Sequence, residues 1–499
     1  MSLSPAYDAL VAHHRRVHDL EHLQAIATWD RMTHMPSAGG TARAAAQAAL
    51  AVLIKQLQAD PKLAQQFEAA AHERLLGDAA LNFARMRQAR LIEAAIPAAL
   101  AERRELATGA AMQAWGKARQ DNDWATFAEA WAPVVAVTRE LAERLGEALG
   151  LQPMDALLEG WEPGLRMARV KALFSQVQGW LPPLLEQALV ARANAPQPLE
   201  PVGPFPASAQ QRLCEQVISL LGFDFDAGRL DTTQHPFTGG VPEDVRMATR
   251  FDEANFLPAL MGTIHETGHA RYQQNLPRAW LGQPLAGPHS AALHEGQALI
   301  FERQLAPEPA FCELLAPLLR QAFGSQPAFE PDNLVRLMRR IRPGPIRVAA
   351  DELTYPLHVI VRVEIEQALV AGEISVADVP AWWNERMHAS LGVGPQAAFS
   401  QGPLQDPHWV HGMFGYFPAY LLGAMVAAQC FAALQRDLPD LQDQVAGGNC
   451  RPIGDWLAPR IWQQGARHDL DAMLKQATGE PLSDTALREQ LEHRHGRIR

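Results

Sequence analysis

Cysteine is scarce in this chain, and none of it is spaced as a motif. The 499 residues contain four, at Cys214, Cys312, Cys430 and Cys450. No pair falls at a C-x-x-C spacing, which excludes a cysteine zinc ribbon and argues against a disulfide scaffold; reduced thiols in the cytoplasm are expected. The start, Met1-Ser2-Leu3-Ser4-Pro5, lacks the basic head and apolar core of a signal peptide. Long apolar runs are absent too. The most apolar stretch, Tyr420 to Leu434, is interrupted by Gln429 and is short for a span, so it reads as a buried helix and no membrane partner is expected. Positive charge is outnumbered: the formal net charge is -11, and a phosphate backbone would repel such a chain, so no nucleic-acid partner is expected either. The apolar share of 48% and charged share of 20% are those of an ordinary globular protein large enough for one big domain or several packed ones.

The chain is dominated by helix formers. Residues 6–150 read as helix after helix, rich in Ala, Leu, Arg and Glu. The alanine-rich stretch Thr41 to Leu57 reads as plain helix packing. A break at Gly160 to Gly164 precedes another helix, Met167 to Ala193. The proline-rich connector Ala195 to Pro206 reads as the main internal boundary. Turn residues, a Gly239-Gly240 pair and the run Val245 to Phe251 then predict a small sheet. Helical periodicity resumes at Phe256 and continues almost to the end, interrupted at Arg342 to Pro345 and around Gly392 to Pro403. No repeat of fixed period is present. The expected class is mainly α with a small β-sheet.

His265-Glu266-Thr267-Gly268-His269 is an H-E-x-x-H sequence within a helix expected from about Ala254. Histidines at i and i+4 stand ~6 Å apart along the axis and ~40° apart around it, so both imidazoles can address one ion. Glu266 projects beside such an ion, where a carboxylate can take a proton from the ion's water and later pass it to a leaving amine. By chance, a chain of this length contains the pattern about 0.04 times, so a surface helix with two solvated histidines is the weaker reading. A catalytic zinc site needs one more protein ligand. A third histidine six residues beyond the second is ruled out, because that position is Asn275. A glutamate on a following helix is the other solution, and His294-Glu295-Gly296-Gln297 offers one, 26 residues past His269. Glu302, seven residues further, is either an acceptor for a ligand histidine or a surface charge, with neither favoured.

At this point the sequence resembles the carboxypeptidase Taq family of zinc metallocarboxypeptidases. The landmarks run in order along nearly the whole chain. They are Leu23 to Pro36 with Trp29-Asp30 and Met35-Pro36; Asp155-Ala156-Leu157-Leu158 through Glu162-Pro163-Gly164; His235-Pro236-Phe237; Asp244-Val245-Arg246; the metal helix; and His294-Glu295-x-Gln297. Ile346-Arg347-x-x-Ala350-Asp351-Glu352 follows, then Gly402-x-x-Gln405-Asp406-x-His408-Trp409 into Gly415-Tyr416-Phe417-Pro418-x-Tyr420. The resemblance implies a neurolysin-like helical body, related in shape to angiotensin-converting enzyme, with a deep groove, zinc at its floor and a short sheet along one side. Residues 1–195 would form one groove wall and 207–499 the catalytic part of a single domain. It also implies a homodimer that removes single C-terminal residues from peptides with broad tolerance and little action at proline. His265, His269 and Glu295 would be the ligands and Glu266 the general base. Three departures stand out: Gly296 replaces a usual Ser, Ala248 replaces a Thr, and Trp462 stands where a histidine is expected.

The remaining roles follow from chemistry guided by that resemblance. A carboxypeptidase must hold a free carboxylate, and arginine does so through two parallel hydrogen bonds. The family motif points to Arg347, against the plainer reading of an ion pair with Asp351. A donor to the developing oxyanion is expected from Tyr420, or from Tyr416 four residues earlier. His408 is a further candidate for binding substrate, and His235 and Arg246 for ordering the groove wall. Cobalt or manganese could replace zinc on two nitrogens and an oxygen. The competing functions are an oligopeptidase that cuts internally with the same chemistry, and a helical interaction protein with a relic motif.

Overall fold

The N-terminal run of helix formers folds, in the computed structural model, into six helices: Pro5–Thr33, Gly40–Gln58, Lys62–Ala71, Gly77–Ala94, Ala98–Asp121 and Trp124–Leu149. The structure describes residues 4–233 and 236–496. The sixth helix shows why the pattern works. Trp131, Val134, Val135, Thr138, Leu141, Ala142 and Leu145 recur every three or four residues and are all buried. The Asp123 side chain accepts the Thr126 N–H at its start, and Gly150, at φ 68°, ends it in the left-handed conformation.

The helix expected over Met167 to Ala193 has those limits. The connector behind it does not divide the core. One hydrophobic cluster runs from Leu100 through Val177 and Ile264 to Leu491, on both sides of the connector. The segregated part lies earlier: Tyr7, Leu10, Ala70, Phe83 and Met86 form a small core of their own among the first four helices.

Three strands make the sheet: β1 (Gly228–Thr232), β2 (Phe237–Val241) and β3 (Asp244–Thr249). β3 is central, parallel to β1 and antiparallel to β2. The glycine pair lies inside β2 rather than at its turn. Gly240 has φ 124°, and a Cβ there would stand 2.0 Å from the Asp244 carbonyl oxygen, so the hairpin closes only on a bare backbone. β3 stops at Thr249, two residues before the end of the expected run. The next helix starts at Leu257 rather than Ala254, because Asp252 and Asn255 side chains accept the Ala254 and Leu257 N–H groups in turns ahead of it.

Two later helices complete the site's frame: Ala291–Leu299 and Pro418–Asp437. The latter contains the apolar stretch read as a buried helix, and 78% of its most apolar window is indeed buried within the protein.

Candidate metal centre

Three helices meet at glycines, and this decides where the functional side chains stand. Gly268 precedes His269 in the helix Leu257–Gln274; a Cβ there would lie 2.3 Å from the Gln297 carbonyl oxygen and 2.4 Å from Ala298 Cα. At Gly296 a Cβ would lie 2.5 Å from Val426 Cγ1, and at Gly423 it would lie 2.8 Å from Glu295 Cγ. Backbone therefore packs on backbone, and Glu295 is carried to within reach of the two histidines. The Gly296 departure has its reason here, since Val426 fills the space of a larger side chain. Trp462 is also explained: it is fully buried, and its indole N–H donates to Gln297 Oε1 at 2.9 Å, anchoring the helix that bears Glu295.

Nε2 of His265 and Nε2 of His269 stand 4.0 and 3.8 Å from Glu295 Oε2, and the three donors lie within 4.8 Å of one another. Atoms bonded to one zinc at about 2.1 Å span from about 3.4 Å at the tetrahedral angle to about 4.2 Å when opposed. Both histidine–glutamate separations fall in that range, as a single small cation between these donors requires. His265 Nδ1 is 2.8 Å from Glu302 Oε2, which leaves Nε2 facing Glu295. Burial opposes a charge on His265, yet the hydrogen bond to Glu302 and the Glu295 and Glu302 charges raise its pKa to about 10. This cluster of carboxylates holds a positive charge strongly; a dication would answer the same field and displace the proton. Burial raises Glu295, and among the described residues its carboxylate accepts no hydrogen bond, as suits an oxygen meant for a cation. Burial pushes His269 well below the usual histidine range, keeping its nitrogen available as a ligand.

The three donors line a groove of about 1030 Å³, whose walls also carry Thr238, Trp161, Arg347, Tyr355, Tyr416 and Tyr420. Glu266 faces it, with Oε2 accepting the Thr238 hydroxyl at 2.6 Å; burial raises its pKa, opposed by His265 and that hydrogen bond. Arg347 is 6% exposed. Its ion pair is not with Asp351, whose carboxylate instead accepts the N–H groups of Arg342, Leu353 and Thr354. Arg347 pairs with Asp406, Nε and Nη2 lying 2.9 and 2.8 Å from Oδ1. Fully buried Arg362 takes Oδ2 of the same aspartate at 2.6 Å. Two guanidiniums thus share one carboxylate, leaving an excess positive charge at the groove wall. Arg347 also lies over the Tyr420 ring at 4.7 Å.

Other expected residues fall elsewhere. His408 stands behind Tyr420, its Nε2 2.9 Å from the hydroxyl, and is not itself among the groove-lining residues. Burial, with Arg347 nearby, lowers its pKa to about 3, so it is neutral. Arg246 makes two 2.8 Å hydrogen bonds to Asp244, two residues away on β3, and is not among the groove-lining residues. His235 lies outside the described residues. Ala248 is fully buried, and the neighbouring Thr249 hydroxyl has no partner among the described residues, so it does not replace the missing threonine. Glu302 proves to be the histidine acceptor rather than a surface charge. Three unforeseen groove residues touch the foreseen ones. Tyr355 has its hydroxyl 3.5 Å from Arg347 Nη1. Thr238 holds Glu266. His294 stacks on His269 with ring centroids 4.3 Å apart. Of these only His294, beside Glu295 in sequence, carried a local signal.

A helical body cleft by a groove, with an H-E-x-x-H helix completed by a glutamate from a later helix, defines a metallopeptidase of the helical type. The match to the family described as carboxypeptidase Taq (M32) metallopeptidase extends over residues 9–495. The chain belongs to that family, and it is a metallocarboxypeptidase. It is 36% identical, across the full length of both chains, to "Thermostable carboxypeptidase 1" of Thermus thermophilus. "Carboxypeptidase 1" of Bacillus subtilis is 37% identical over 77% of this chain and 76% of its own. Among solved structures, "Trypanosoma Cruzi Metallocarboxypeptidase 1" is 40% identical with a TM-score of 0.95, covering 99% of this chain and 100% of that one. A Pyrococcus furiosus carboxypeptidase is 30% identical with a TM-score of 0.92, covering 98% and 99%.

Proposed function

We propose that the resident metal is one zinc ion held by His265, His269 and Glu295, and that the enzyme releases single residues from the free C-termini of peptides with broad tolerance. Two imidazoles and one carboxylate, with room for a further ligand on the groove side, are the donor set of catalytic zinc; cobalt or manganese would substitute in vitro. When bound, the ion would polarise the scissile carbonyl and acidify a water.

The chain's own residues supply the rest. Glu266 is the general base. Thr238 occupies its Oε2, leaving Oε1 to take the proton and return it to the departing amine. Tyr420 is the oxyanion donor. With its proton on Nε2, neutral His408 donates to the Tyr420 oxygen and leaves the phenol hydrogen free to point into the groove. Tyr416, 5.3 Å away ring to ring, is the alternative donor. Arg347 receives the substrate carboxylate with its Nη1 edge, because Asp406 already occupies Nε and Nη2.

The carrying observation is that arrangement of charge: Arg347 lines the groove that holds the three donors and has to share the one carboxylate of Asp406 with buried Arg362. A negative group entering from solvent completes the balance, and a peptide C-terminus brings one. Paired assays on one blocked peptide, with a free acid or an amide at its C-terminus, test this. Release of the last residue from the acid alone supports exopeptidase action; equal internal cleavage of the amide refutes it in favour of an oligopeptidase. Metal analysis of protein purified without added ions tests zinc. Four buried, unpaired cysteines suit a reducing cytoplasm, and the resemblance carries the homodimer, which light scattering tests.

A further inference from the structure

The helix Ala291–Leu299 does not end at Leu299. It widens into a π-turn, Ile300–Leu305, in which the Ala306 N–H reaches back to the Phe301 carbonyl at 3.0 Å. Such turns concentrate at functional sites because they shift the side chains that follow. Glu302, the partner of His265 Nδ1, sits in this one. The last carbonyls of any helix lack intrahelical donors, and in a buried π-turn they need partners. Here one residue supplies two of them, while the Glu308 N–H takes the Leu305 carbonyl at 2.9 Å. Arg494, from the far end of the chain, is 7% exposed. Its Nη1 donates to the Arg303 carbonyl at 2.7 Å and its Nη2 to the Gln304 carbonyl at 2.8 Å. The same guanidinium is gripped by Glu352 Oε2 at 2.8 Å and Glu308 Oε1 at 2.7 Å. His495 holds the other Glu352 oxygen at 2.7 Å. Within the turn, Arg303 Nε lies 3.0 Å from Glu302 Oε1, so Glu302 is fixed between Arg303 and His265.

We infer that Arg494 is a positioning residue for the metal centre, which caps the π-turn so that Glu302 holds the His265 ring in its ligating orientation. A guanidinium suits this place. It is cationic, as a helix C-terminus favours, and its planar fork reaches two successive carbonyls while two carboxylates fix its own plane. A lysine would bring the charge but not the fork. A chain of contacts through Arg303 and Glu302 to His265 links Arg494 to the metal helix. The inference rests on the ligand assignment above.

The test is a double-mutant cycle read as metal affinity, by competition with a chromophoric chelator, alongside circular dichroism. The variants are Arg494→Met, Glu302→Gln and the pair. Removing a partner of a ligating histidine typically costs about 10- to 100-fold in affinity. Each single variant should weaken binding by about 10-fold or more, and the pair no more than Glu302→Gln alone. Should Arg494→Met not fold, Arg494→Lys takes its place in the cycle. Multiplying effects, or a folded Arg494 variant with unchanged affinity, overturn the inference. Failure of the ligand assignment looks different: wild type would then bind no stoichiometric metal, or Glu295→Ala would bind it as well as wild type.

Discussion

Replacing Gly268 by alanine adds one methyl group at the crossing of the metal helix and the helix that bears Glu295. That Cβ would meet the Gln297 carbonyl oxygen at 2.3 Å and Ala298 Cα at 2.4 Å. Ordinary contact begins near 3.4 Å, so the helices must part by roughly 1 Å, and both obstructions are backbone that no rotamer change removes. Glu295 sits two residues from Gln297, with Oε2 3.8 Å from His269 Nε2 and 4.0 Å from His265 Nε2. A parting of about 1 Å takes the carboxylate out of bonding range of an ion that tolerates about 0.2 Å. Overpacking of this kind costs about 1–3 kcal/mol in stability. Gly262 is the control: it lies in the same helix, and a Cβ there meets nothing within 4 Å. Gly262→Ala should keep its metal and gain about 1 kcal/mol from helix propensity. Metal content after dialysis and denaturant midpoints for both variants give the answer. If Gly268→Ala retains stoichiometric metal through dialysis, the crossing does not set the ligand geometry and the reasoning fails.

Glu266→Gln should retain metal and lose about 10²- to 10⁴-fold in kcat, and an unimpaired variant removes Glu266 from the base role. Tyr420→Phe should lower kcat by about 10²- to 10³-fold at little change in KM, with Tyr416→Phe affected less; the reverse order reassigns the oxyanion donor. Arg347→Met should raise KM for free-acid peptides; unchanged KM for the acid moves the carboxylate site elsewhere. Glu162 tests a pH dependence. It is 1% exposed, its Oε1 accepts the Ala292 N–H at 2.6 Å, and burial raises its pKa from 4.5 to about 8. Between those values the folded state binds a proton that the unfolded chain releases, so stability falls as pH rises from about 4.5 to 8. Glu162→Gln should flatten that fall and be more stable than wild type at pH 8, a gain that urea titrations at two pH values would detect.

The chemistry of this protein was legible because it is local. The i, i+4 histidines need only a helix, and the helix needs only its formers and the absence of a break from Leu257 to Gln274. The third donor was legible as a type and a distance along the chain, and the resemblance assigned it. The helical character of the first 150 residues followed from residue type, but not the limits of the six helices, such as those that Asp123 and Gly150 set for the sixth. Boundaries were less secure where side chains capped turns, as at Asp252 and Asn255 ahead of the metal helix.

Pairings across distance were not legible. Nothing near Arg347 in sequence announces Asp406, and the nearer Asp351 proved to be occupied by backbone N–H groups. Thr238 reaches Glu266 only because β2 lies against the metal helix. Arg494 meets the π-turn only because a chain of this length folds back on its own core. Which groups could bind a cation and ionise a water was written in the chain, since residue type and helical spacing specify both. The tertiary structure alone decided which charges face which, because a buried ion pair is fixed by where the backbones cross, and here they cross at glycines whose missing side chains no local pattern explains.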